Sequence, residues 1–174
     1  MQNLMISLFT FLFGLCIGSF LNVCIYRIPE SESIVHPPSK CPNCGFMIKF
    51  YDNIPLLSYM ILKGKCRNCG TAVSFRYPVV ELLSGLFAIA VFLKFDFTWA
   101  AFIYFGFIAC LLVITFIDID HQIIPNIISL PGIPVFFAAS FFVPEVTASD
   151  SILGIIAGGG SLFLVEIGRA SCRE

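Results

Sequence analysis

The chain has 174 residues, is 58% hydrophobic and only 12% charged, and has a mean hydropathy of +0.94. That apolar share exceeds the usual range of a soluble domain, and the length holds several bilayer spans but not a large soluble domain as well. A formal net charge of −1 offers no electrostatic footprint for a nucleic-acid partner.

Leu4 to Tyr26 is an apolar run long enough to cross a bilayer. It carries Gly14, Gly18 and Ser19, a small-residue face suited to close helix packing, and Asn22 near its end, expected to bond between helices. No basic n-region precedes it, so a cleavable signal peptide is not expected. Cys16, Cys24 and Cys110 lie in apolar stretches and read as buried hydrophobes.

Between Arg27 and Arg76 the composition changes. Pro29, Pro37, Pro38, Pro42 and Pro55 rule out a long helix. Two CxxC pairs stand here, Cys41-Pro-Asn-Cys44 and Cys66-Arg-Asn-Cys69. Each CxxC turn aims two sulfurs at one point, so two pairs can close a tetrahedral Zn²⁺ site. Gly45 and Gly70 follow the second cysteine of each pair, where a knuckle turn needs positive φ. The pattern predicts a zinc-ribbon-like loop with Cys41, Cys44, Cys66 and Cys69 as metal ligands. A disulfide framework would use the same four residues. The loop, however, holds Arg27, Lys40, Lys49, Lys63, Lys65, Arg67 and Arg76 against Glu30, Glu32 and Asp52. Positive loops stay in the cytoplasm, whose reducing environment favours metal over disulfide. Asn53-Ile-Pro-Leu-Leu-Ser-Tyr59, between the pairs, is apolar and can pack the module or rest at the membrane surface.

Further spans are expected over Pro78 to Leu93, Thr98 to Ile117, Ile123 to Val143 and from Ile152 to Val165. The fourth contains Pro125, Pro131 and Pro134 and is expected to be kinked or partly unwound. The fold class is therefore an all-α polytopic membrane protein of about five transmembrane helices with a small cytoplasmic tetracysteine loop. Alternation puts the end of the third span on the side of that loop. The last residues, Glu166 to Glu174, break the apolar pattern. They look like the in-frame translation of a sequencing-adapter oligonucleotide, so a non-native tail on a truncated gene product is expected, with no role for Cys172.

The third span ends in Asp118-Ile-Asp120-His121. Ionisable groups at membrane depth are costly and often functional, yet both aspartates can equally be interfacial residues that end the helix. Two carboxylates can divide the roles of base and acid, but residues two apart on a helix point about 200° away from each other. A dyad would pair one of them with a carboxylate from another helix. His121 reads as a polar anchor. Glu81 needs a partner, and Arg76, one turn away, is the expected one.

These residues match a family. Gly18-Ser-Phe-Leu-Asn-Val-Cys-Ile-Tyr-Arg-Ile-Pro29, the tetracysteine loop, Ser74-Phe-Arg-Tyr-Pro-Val-Val-Glu81 and Phe116-Ile-Asp-Ile-Asp-His-Gln-Ile-Ile-Pro-Asn126 together resemble the bacterial type IV prepilin peptidases. The resemblance covers nearly everything up to Val165. It implies a bifunctional enzyme of the bacterial inner membrane. Such enzymes cut the basic leader of prepilins or pseudopilins on the cytoplasmic side, after a glycine. They then N-methylate the new terminus with S-adenosyl-L-methionine. The peptidase is of the intramembrane aspartyl class, and Asp118, seven residues before Pro125, matches its first catalytic aspartate. The second lies in a Gly-x-Gly-Asp motif that is absent here: Gly158-Gly-Gly160 is followed by Ser161. The chain as it stands is accordingly expected to be inactive as a peptidase.

The expected division is 1–25, first transmembrane helix; 26–76, cytoplasmic tetracysteine module; 77–165, incomplete transmembrane aspartyl peptidase region; and 166–174, non-native tail. Two other classes remain open on the residues alone. One is a membrane-anchored zinc-ribbon scaffold without chemistry; the other is a small transporter using Asp118 and Asp120 for cations. The sequence shows no glycine-rich dinucleotide fingerprint that would place a methyl-donor site.

Overall fold

The computed structural model describes residues 2–144 and 146–158. Its helices are α1 (Gln2–Arg27), α2 (Leu57–Ile61), α3 (Arg76–Phe95), α4 (Trp99–His121), α5 (Asn126–Ser140) and α6 (Ala148–Gly158), with a short 3₁₀ turn at Phe50–Asn53. The chain divides into two compact units, 1–130 and 131–174.

In the first unit α1, α3 and α4 are each long and apolar enough to cross a membrane. Their core is one cluster built on Leu21, Cys24, Ile25, Val80, Leu112 and Ile117, and a second built on Ala88, Val91, Phe92, Ala101 and Phe105. Lipid offers no hydrophobic drive for helices to associate, so close backbone packing has to supply the contact. The small residues of α1 do this against α3. A Cβ placed on Gly18 would lie 2.7 Å from Glu81 Cα, and one on Gly14 would lie 2.6 Å from Ala88 Cβ. Asn22 is buried at that seam and donates from Nδ2 to the Tyr77 carbonyl at 3.0 Å, the expected bond between helices.

The helix ends are marked by chemistry. Thr98 caps α4, its hydroxyl accepting from the Ala101 amide. The turn between α3 and α4 gathers an aromatic belt in which Phe92 meets Phe97, Phe102 and Phe105, while Phe95 stacks on Tyr104. Such belts sit at a membrane–water boundary. At the other end of α4, Gln122 adopts the left-handed conformation and its N–H caps the Asp118 carbonyl.

Two expectations change. Cys24 is buried, but Cys16 is exposed on α1 and does not enter the core. The fourth apolar segment is the 15-residue α5, about 22 Å long and shorter than a hydrocarbon core. Residues 122–125 stay outside the helix, since the residue before Pro125 is disfavoured in helical backbone, while Pro131 and Pro134 are accommodated inside it. In the second unit, α6 opens with a reciprocal cap: Asp150 accepts from the Thr147 amide, and the Thr147 hydroxyl accepts from the Asp150 amide. The expected fifth span runs beyond the described residues, as does the suspected tail.

Candidate functional site

The four cysteines of the loop converge. Their Sγ atoms all lie within 4.8 Å of one another, and Cys41 Sγ is 3.8 Å from Cys69 Sγ. A tetrahedral Zn²⁺ with bonds near 2.3 Å requires sulfur–sulfur edges of about 3.8 Å, so the donor set fits the metal. Four sulfurs leave no open position, which makes such a site structural.

The convergence comes from a motif used twice. In the first knuckle the Cys41 N–H donates to the Phe46 carbonyl, the Gly45 N–H donates to Cys41, and Lys40 bridges Met47. In the second, Cys66 donates to Thr71, Gly70 donates to Cys66, and Lys65 bridges Ala72. Gly45 and Gly70 both have the positive φ the spacing demands, +68° and +71°. The ribbon is thus two isolated bridges rather than longer strands.

A reciprocal pair of asparagines joins the knuckles. Asn43 donates across to Cys69 Sγ at 3.7 Å and to Thr71 Oγ1 at 2.8 Å, and Asn68 donates to Cys44 Sγ at 3.7 Å. Thr71 Oγ1 lies 3.3 Å from Cys69 Sγ. Since Thr71 accepts from Asn43, its own proton is free for the sulfur. These donors favour the thiolate, and Cys69 is pulled down to about 6, first by the Thr71 side chain and then by its amide and Asn43. From within the second knuckle Arg67 makes a bidentate bond to Asp52, which holds that carboxyl below its ordinary range. The convergence of the four cysteines was legible from spacing; the asparagines and Thr71 were not, because they reach across to the opposite pair.

Asp118 and Asp120 occupy the last turn of α4, and both are exposed. Asp120 forms an ion pair with Arg76, the first residue of α3. The end of α4 and the exit of the cysteine module therefore share one end of the helix bundle. Among the described residues the Asp118 carboxylate has no hydrogen bond or ion pair. His121, the last residue of α4, is exposed.

Glu81 has a different partner from the one expected. Arg76 lies five residues before it, well round the helix, and turns to Asp120. The buried Glu81 carboxylate instead accepts the Leu56 amide at 2.8 Å. Leu56 sits at φ +57° and ψ −46°, and the Leu57 N–H bonds back to the Pro55 carbonyl at 2.6 Å. This is a tight γ-turn of the unfavourable hand, strained for a side-chain-bearing residue. A carboxylate of a membrane-spanning helix thus holds a strained turn of the loop module.

The Bacterial Peptidase A24 N-terminal domain matches residues 12–95, and the Type IV leader peptidase family matches residues 105–171. A prepilin leader peptidase/N-methyltransferase of Myxococcus xanthus is 41% identical over 92% of this chain and 48% of its own length. Proteins of that name from Pseudomonas aeruginosa and Neisseria gonorrhoeae are 35% and 36% identical over 90% and 87% of the chain, each over 62% of its own length. The chain thus spans about half to two thirds of the relatives it matches. No solved structure matches it. One model runs from within α1 through the tetracysteine module to the end of α3, the other from within α4 across its aspartates, so most of the chain is similar to the two domains of the type IV leader peptidases.

Proposed function

We propose that this chain carries part of an inner-membrane enzyme that removes the leader of type IV prepilins or pseudopilins and N-methylates the new terminus. The similarity of about nine tenths of the chain to proteins named for both activities carries this reading. The geometry supports it: the Arg76–Asp120 pair sets the candidate aspartate Asp118 at the same bundle end as the basic module. That end is the cytoplasmic one if positive loops stay inside, and it is where a basic leader would be presented.

In the aspartyl reading, Asp118 is one of two carboxylates that share the work of activating water and protonating the leaving amine. Asp120 is engaged by Arg76 and diverges from Asp118 on the helix, so it is not the second. Asp150 is engaged in its own helix cap. The partner carboxylate has to be brought to Asp118 by another segment. The four cysteines would hold a structural Zn²⁺ that ties the two knuckles together. The methyl donor, S-adenosyl-L-methionine, follows from the relatives' name alone.

The test is cleavage of a prepilin substrate by the complete protein in membranes, followed by mass measurement of the product. Asp118→Asn should abolish cleavage and leave membrane insertion and zinc content unchanged. Wild-type cleavage by that variant would remove Asp118 from the chemistry and favour the scaffold reading.

A further inference from the structure

The module presents an apolar face that is exposed among the described residues. On the five-residue α2, Leu57 is 51% exposed, Met60 73% and Ile61 65%, and Phe75, just before α3, is 70% exposed. Lys63 and Lys65 follow the helix and are exposed.

Its depth can be derived. Helix α3 has 20 residues and is about 30 Å long, the thickness of a hydrocarbon core. It has no length to spare, so Arg76 lies at one boundary and Phe95 near the other. Glu81 stands five residues in, about 7 Å below that boundary. Leu56 is tied to Glu81 by a direct hydrogen bond, and Leu57 begins α2 in the next residue. The helix cannot travel far from that depth. Tyr59 meets the ring of Phe75 edge-on at 6.3 Å, and its hydroxyl donates to the Val73 carbonyl. The apolar face of α2 is therefore continuous, through Tyr59 and Phe75, with the start of a helix whose outer surface faces lipid. Exposed apolar side chains held at this level, with cations beside them, have the composition of an interfacial element.

We infer that α2 and Phe75 rest in the headgroup–acyl boundary of the bilayer that α3 crosses, with Leu57, Met60 and Ile61 inserted and Lys63 and Lys65 on anionic headgroups. The module is docked on the membrane rather than suspended above it. This assignment rests on the membrane-spanning helices and not on the peptidase reading.

The experiment uses the chain's single tryptophan. In a Trp99→Phe background, Met60→Trp and Ile61→Trp are reconstituted into phosphatidylcholine vesicles, with and without phosphatidylglycerol. Quenching by lipids brominated near the headgroup and by aqueous acrylamide is then compared. Phe75→Trp, which keeps a ring beside Tyr59, gives an independent readout if a variant at position 60 or 61 does not fold. The expected result is blue-shifted emission, quenched several-fold more by shallow brominated lipid than by acrylamide, and more strongly with phosphatidylglycerol. Lys63→Gln with Lys65→Gln should remove the phosphatidylglycerol increment. Water-like emission quenched by acrylamide alone would overturn the inference. So would protection that appears only when a prepilin peptide is added, since the face would then belong to a protein partner. Equal quenching in both lipid mixtures would refute the assignment of the lysines.

Discussion

Replacing Gly18 by alanine tests how the first unit is held together. A Cβ there would sit 2.7 Å from Glu81 Cα, 2.9 Å from Ser84 Cβ and 3.1 Å from the Val80 carbonyl. Ordinary contact begins near 3.4 Å, and two of the three neighbours are backbone, which cannot rotate away. The helices must separate by roughly 0.7 Å, and overpacking of this kind costs about 1–3 kcal/mol. Alanine also gains helix propensity over glycine, about 0.5–1 kcal/mol, which obscures the single measurement. Gly106 supplies the control: it lies inside α4, and nothing stands within 4 Å of its added Cβ. Both substitutions gain the same propensity; only Gly18→Ala meets a neighbouring helix. The difference between the two variants therefore isolates the packing cost. Unfolding in mixed micelles with increasing dodecyl sulfate, followed by helicity and Trp99 fluorescence, should place Gly18→Ala below wild type and Gly106→Ala at or above it. Gly14→Ala, whose Cβ would meet Ala88, the Ser84 carbonyl and Gly85, should fall with Gly18→Ala. Equal midpoints for the position 18 and position 106 variants would refute close packing of α1 on α3.

The chain should bind about one Zn²⁺ through its four thiolates, and Asn43→Ala should weaken chelator-competition affinity roughly 10-fold. Asn68→Ala should cost less, because Asn43 also holds Thr71 while Asn68 reaches only Cys44; the reverse order would contradict the bonds across the knuckles. Arg76→Gln and Asp120→Asn, combined in a double-mutant cycle of stability, should couple by about 0.5–1 kcal/mol, since the pair is partly exposed. Additive effects would mean that the start of α3 and the end of α4 are not joined there. Asp52→Asn should lower the thermal stability of the module at neutral pH. Arg67 depresses the Asp52 carboxyl in the folded state, so its contribution is present above the ordinary carboxylate range and fades as pH falls through the depressed value. A wild-type advantage that grew on acidification would have the wrong sign.

What the residues announced in advance was whatever local spacing determines. Cysteines three apart, glycines after them, and apolar runs of bilayer length carry their geometry in the chain itself, and the structure shows converging sulfurs, positive φ and long helices. The partners of Glu81 and Arg76 were misread because a helix-neighbour rule was applied where tertiary contact decides. Arg76 finds Asp120 on α4, and Glu81 finds a backbone amide of the loop. Nothing in the string marks Leu56 for a positive φ, since leucine is a poor residue for it. That turn exists because a buried carboxylate and a proline-restricted neighbour hold it. Asp150 was overlooked as a capping residue, although Thr147-x-x-Asp150 is a local pattern of that kind.

The doubling of the knuckle has a consequence for the order of assembly. Each half supplies two sulfurs and an amide for a sulfur of the other half, so neither is complete alone. At ordinary rates of translation the second pair of cysteines follows the first by about 1–5 s. Both are made before α3, and with it Glu81, leaves the ribosome. On the zinc reading proposed above, metal capture can thus close the loop before α3 has left the ribosome, and the tie to Leu56 can form only afterwards. On that reading the module is a clasp that fastens first and is seated second, and zinc supply during synthesis, rather than after insertion, would fix the connection between the first two spans.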